Sequence, residues 1–267
     1  MGGAFIRYRP AATASVLSRN LPRNNSTVGY TRSMGLHLCY ELALPRETAA
    51  TVVTERVRLL HEAATRLTFA KVSPLVQVTA GETLGDVNLF DCSLEDCFRL
   101  WARVRLDPMD GDTGTRGEHL PDAVGFAVHP GQYCEAATFG LAWVPPEDEE
   151  GTRLHGEPYV WHWHSLCKTQ YASVVSDEHL IHCHTTLVAL LDEASRLGFE
   201  VTVRDETHYW ETRDTGRLVA EVGEMNRIVA RIAGAMHDAV GDAARTEGAI
   251  FQHPRFEELE SEPGKQP

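Results

Sequence analysis

The chain has no apolar run approaching the roughly 20 residues that cross a bilayer, which argues against a helical membrane span. It has no basic run either. With a formal charge of −13 it lacks the clustered Lys and Arg that neutralise phosphates, which argues against a nucleic-acid partner. None of the six cysteines (Cys39, Cys92, Cys97, Cys134, Cys167, Cys183) stands in a Cys-x-x-Cys pair, and no secretory leader is evident. Reduced thiols in the cytoplasm, most of them small buried hydrophobes, are the expectation. A phosphate loop, a dinucleotide Gly motif, a nucleophile elbow, a zinc ribbon and His-Glu-x-x-His are all missing, so no such motif names a reaction.

One stretch lacks charge of one sign. Residues 1–33 hold Arg7, Arg9, Arg19, Arg23 and Arg32 but no acid, and Met34 stands directly before the first strand pattern. A disordered basic arm, a targeting segment or a start codon placed too early each fits this composition. We therefore expect the fold to occupy residues 34–250 as one domain, followed by a loose polar tail over 251–267.

What is present is ordinary globular material, patterned for both periods. Leu36, Leu38, Tyr40 and Leu42 alternate as a strand. After Pro45, an apolar stripe through Val53, Val57, Leu60 and Ala64 predicts a helix over 45–68. Strands are predicted over 75–79, 123–129, 137–144, 159–166 and 199–204, and helices over 93–105 and 176–198, the latter capped by Ser176. A last helix follows Asp214, with a stripe running through Leu218, Val222, Met225, Val229, Ile232 and Met236. The order β-α-β-α-β-β-β-α-β-α describes an α+β class. A mixed or mostly antiparallel sheet of about six strands would carry three to four helices. The Gly/Asp-rich stretch 107–122 and the acidic stretch 145–157 read as long loops, the second a candidate lid.

Residues able to do chemistry gather in three segments at strand ends: 129–135, 159–171 and 205–211. His162 and His164 alternate on a strand and so share a face, the geometry of a divalent-metal chelate such as zinc, with Asp205, Glu206 or His208 completing the set. The same alternation equally describes tryptophans facing a core and histidines facing outward. His179 and His182 share a helix face, whereas His184 lies on the apolar stripe of that helix and reads as a hydrogen-bonded core residue. Cys167, followed by Lys168, is the candidate nucleophile. Asp205 and Glu206 suit general-base work. Trp161, Gln170, Tyr171, Tyr209 and Trp210 supply aromatic and polar walls for a substrate pocket.

Three functions fit these patterns. The first is a small-molecule-binding protein with its site at 159–171 and 205–211, in its sharpest form a metal-dependent hydrolase that activates water. The second is a cysteine-nucleophile enzyme using Cys167. The third is a non-catalytic interaction or regulatory module, whose acidic charge would favour a basic partner.

Overall fold

The computed structural model describes residues 36–83, 93–106, 120–146, 157–240 and 249–261. The basic stretch 1–33, most of the 107–122 loop and the centre of the acidic loop (147–156) lie outside the described residues.

Alternation builds the sheet from its middle. In β1 (Leu38–Ala43), Leu38, Tyr40 and Leu42 are buried and Glu41 is exposed. The other strands are β2 (Lys71–Val72), β3 (Val76–Val78), β4 (Ala123–His129), β5 (Ala137–Val144), β6 (Val160–Cys167) and β7 (Glu200–Asp205). They form one seven-stranded sheet in the order β2-β4-β5-β6-β1-β7, with β3 also bonded to β4. The pairings are antiparallel. Each face of β1 is fixed on two sides at once: Leu38 pairs with Cys167 of β6 and with Asp205 of β7.

The helices are α1 (Ala50–Arg66), α2 (Leu94–Leu106), α3 (Asp177–Arg196), α4 (Tyr209–Thr212), α5 (Thr215–Val240) and α6 (Phe256–Ser261). Val53, Val57, Leu60, Ala63 and Ala64 put one stripe of α1 into the core. There His61 meets the ring of Phe126 edge-on at 5.0 Å, and Phe126, Phe139 and Tyr40 continue as a stack across the sheet. Phe98 of α2 stacks on Trp163 at 4.6 Å and lies over Gly125 and Gly140. A Cβ on Gly125 would sit 2.1 Å from the Phe98 ring, so glycine is what lets that ring approach the strand. Burial of each such aromatic contributes about 1.5–3 kcal/mol.

Local signals end the helices where expected. Ser176 Oγ accepts the amide of His179 at 3.1 Å at the start of α3, and Gly198 takes a φ of +85° beyond its end. Five expectations change. Pro45 does not open α1: its carbonyl accepts the Thr48 amide in a separate turn, and the helix starts at Ala50. The sheet gains β2, too short to have a period of its own and set by pairing with β4. A single turn, α4, follows β7. The tail is not loose over its described part. A 3-10 turn (Ala249–Gln252) and α6 place Ile250 and Leu259 against Val229 and Ala230 of α5, covering a stripe that α3 does not reach. Ile232, expected on that stripe, is exposed instead. Among the described residues no helix is long and apolar enough to cross a membrane.

Candidate functional site

Antiparallel pairing gathers particular chain ends. The C-terminal end of β4 lies beside the N-terminal end of β5, followed across the sheet by the C-terminal end of β6, the N-terminal end of β1 and the C-terminal end of β7. Residues 129–137, 167–171, 36–38 and 205–211 therefore share one end of the sheet, which joins the ends of all three segments singled out in the sequence.

Lys168 sits at the centre of that end. It is only 6% exposed, and its ammonium lies 5.6 Å from the ring centroid of Tyr171. Burial lowers its proton affinity below that of an ordinary lysine, while the carboxylates of Glu135 and Glu206 pull the other way without cancelling the effect. The backbone locks Glu135 beside it, since the Glu135 amide donates to the Lys168 carbonyl at 3.0 Å and the Cys167 thiol donates to the Glu135 carbonyl at 3.2 Å. Glu206 is held by the residue before β1: its Oε2 accepts the His37 amide at 2.8 Å and lies 3.3 Å from His37 Nδ1. Burial, with Glu135 adding to it, raises the Tyr171 phenol above its usual range, so Tyr171 is a neutral hydroxyl at physiological pH.

Gln170 fastens this corner to α5. Its Oε1 accepts the Leu36 amide and its Nε2 donates to Asn226 Oδ1, both at 2.8 Å. Asn226 Nδ2 in turn donates to Ser173 Oγ at 2.9 Å. On the far side of the 3-10 turn Gln170–Val174, a groove of about 780 Å3 runs past Ser173, Asn226 and His253.

Asp205 and His184 make a second, closed network. His184 Nε2 lies 3.1 Å from Asp205 Oδ2, and Nδ1 lies 2.8 Å from Thr169 Oγ1. Asp205 also accepts from Thr207 Oγ1 at 2.7 Å, the Thr207 amide at 2.9 Å and the Trp210 amide at 2.9 Å. Burial alone would raise this carboxyl, but the hydrogen bond and charge of His184, with those of Thr207, hold it down to about 2. Thr169, His184, Asp205 and Thr207 are all buried. The network fixes α3 to the ends of β6 and β7, and Asp205 acts as its anchor.

The remaining sequence candidates are dispersed. Trp161 lies at the other end of β6, where it packs against Trp143 at 5.1 Å, about 20 Å along the strand from Cys167. His162 is half-buried and its Nε2 lies 3.4 Å from Glu41 Oε2, while His164 is buried beside it. His208 is exposed at a left-handed position (φ +57°) in the turn after β7. Among the described residues, no group of three or more His, Cys, Asp or Glu side chains converges as a metal-ligand set. Tyr209 presents its ring edge to His184 at 5.5 Å, and Trp210 lies under the Arg213 guanidinium at 4.6 Å; both brace the turn. Burial pushes the Cys167 thiol well above its ordinary range, helped by Glu135, which is opposite to what a thiolate nucleophile requires.

Of the Lys168 corner, Glu135 falls in the 129–135 segment without a role of its own in the sequence reading, and His37 falls outside all three segments. Their signal was positional: Glu135 stands two residues before β5 and His37 directly precedes β1, the two strands that flank β6. Comparison of the chain with family models, curated proteins and solved structures gives no significant match.

Proposed function

We propose that the protein binds a small carbonyl-bearing molecule at the Lys168 corner, with the Lys168 amine as its functional group. One observation carries this reading: a buried lysine lies against Tyr171 of its own segment and feels the charges of two glutamates, Glu135 and Glu206, contributed by chain segments far apart in sequence. A surface lysine is protonated at neutral pH and is a poor nucleophile. Desolvation raises the share of free amine, the common route by which proteins make lysine reactive toward carbonyl carbon. Attack by that amine gives a carbinolamine, and loss of water gives an imine. Glu135 and Glu206 would accept and return the protons that these steps move.

The chain suits a direct test because it contains only three lysines, Lys71, Lys168 and Lys265. The full-length protein is incubated with glyoxylate and cyanoborohydride at neutral pH, and the adduct is mapped by mass spectrometry. We expect a reduced adduct on Lys168 ahead of the exposed Lys71, and its loss in Lys168→Met. Adducts on Lys71 and Lys265 with Lys168 untouched would overturn the reading.

A further inference from the structure

A second group of reactive side chains lies apart from the Lys168 amine. Cys134, in the turn between β4 and β5, and Cys183, in α3, are buried in one cluster, and their two thiols share a hydrogen bond. His179, one helical turn before Cys183, places Nε2 3.6 Å from that sulfur and 3.2 Å from the Gln132 carbonyl. Gly131 completes the wall: a Cβ there would lie 2.5 Å from Cys183 Sγ and 2.9 Å from His179 Cε1. The next residue but one, Tyr133, takes a left-handed φ of +63°, which turns the chain so that Cys134 faces α3. Free thiols in the neighbourhood have different partners, since Cys167 donates to the Glu135 carbonyl.

We propose that Cys134 and Cys183 are a redox-active thiol pair that a hydroperoxide oxidises to an intramolecular disulfide. Cys183 is the attacking sulfur. It has His179 Nε2 3.6 Å away, and the hydrogen bond it shares with Cys134 lowers its proton affinity below that of an ordinary cysteine, against the effect of burial. The half-buried His179 contacts that sulfur, and its displacement would open a way in for a small oxidant. Cys183 thiolate attacks one peroxide oxygen, the O–O bond breaks, and the departing hydroxide or alkoxide takes up the proton that Cys183 released. Cys134 then attacks the resulting sulfenic acid, the S–O bond breaks, and water leaves with the Cys134 proton. Two thiols lose two electrons and the peroxide is reduced to water, or to water and an alcohol. The sulfurs start in hydrogen-bond contact and close to the ~2.05 Å of a disulfide. The bond would tie α3 to the β4–β5 turn. It does not depend on the role of Lys168.

The full chain is treated with hydrogen peroxide, alkylated and mapped by peptide mass spectrometry. A linked 134–183 peptide that dithiothreitol releases is expected, and Cys167→Ser should form it equally. Cys134→Ser should stop at a sulfenic acid on Cys183 that dimedone traps. The proposal is overturned if the wild-type chain keeps both thiols alkylatable, or if the linkage joins either cysteine to a different one.

Discussion

His184 Nε2 and Asp205 Oδ2 lie 3.1 Å apart, with the two side chains 1% and 0% exposed. The pair joins the middle of α3 to the end of β7, and through Thr169 to the residues that follow β6. Removing one member leaves the other buried without its partner, a loss larger than the net contribution of the intact pair. Asp205→Ala should therefore lower unfolding stability by about 3 kcal/mol or more, read by urea denaturation. A change below about 0.5 kcal/mol would mean the network is not formed in solution.

The same carboxyl gives the fold an acid dependence. Its folded value of about 2 lies below the ordinary 3.8, so the folded state holds its proton less tightly than the unfolded chain. The resulting stability is fully present above about pH 4 and is lost as pH falls toward 2. It amounts to about 2.5 kcal/mol at most. Stability against pH should fall through that window in the wild type, and Asp205→Asn should flatten this part of the fall.

Glycine substitutions separate close approach from open space. Gly125→Ala would place a methyl 2.1 Å from the Phe98 ring and 2.3 Å from the Phe139 carbonyl oxygen. The backbone oxygen cannot swing aside, so a loss of about 3 kcal/mol is expected. Gly223 in α5 meets nothing within 4 Å, and Gly223→Ala should stabilise by about 0.5–1 kcal/mol through helix propensity. Thermal melts of the two variants should move in opposite directions.

Asn226 is the link between Gln170 and Ser173. Asn226→Leu keeps roughly the volume but strands the Gln170 amide in a buried site, a cost of about 1–3 kcal/mol by denaturation. If Gln170 positions the Lys168 corner through this link, glyoxylate trapping at Lys168 should slow in the same variant.

The fold was legible where a segment carries its own pattern. β4 and β5 occupy the bounds expected of them, and Ser176 and Gly198 mark α3 by capping chemistry. The two-residue β2 and the tail helix were not legible, because each exists through a partner, β4 or α5, that lies far away in sequence. The same division holds for the site. Convergence of 129–135, 167–171 and 205–211 could be anticipated because all three follow or join strand ends. Treating 159–171 as one unit misplaced Trp161, His162 and His164, since β6 runs eight residues between Val160 and Cys167 and separates its two ends. The pairing of Asp205 with His184 depends on how α3 packs over the sheet, and no local spacing encodes that.

The most direct test of the central claim is the pH dependence of amine reactivity at Lys168 compared with Lys71. Competitive labelling of the folded chain with a small acylating reagent, read at each lysine by mass spectrometry, gives an apparent titration midpoint for each. Burial of Lys168 predicts a midpoint below the ordinary lysine value of 10.5, and below that of the exposed Lys71, with the difference abolished in urea. A Lys168 midpoint at or above that of Lys71, or a Lys168 that stays unlabelled while the protein is folded, would contradict the account.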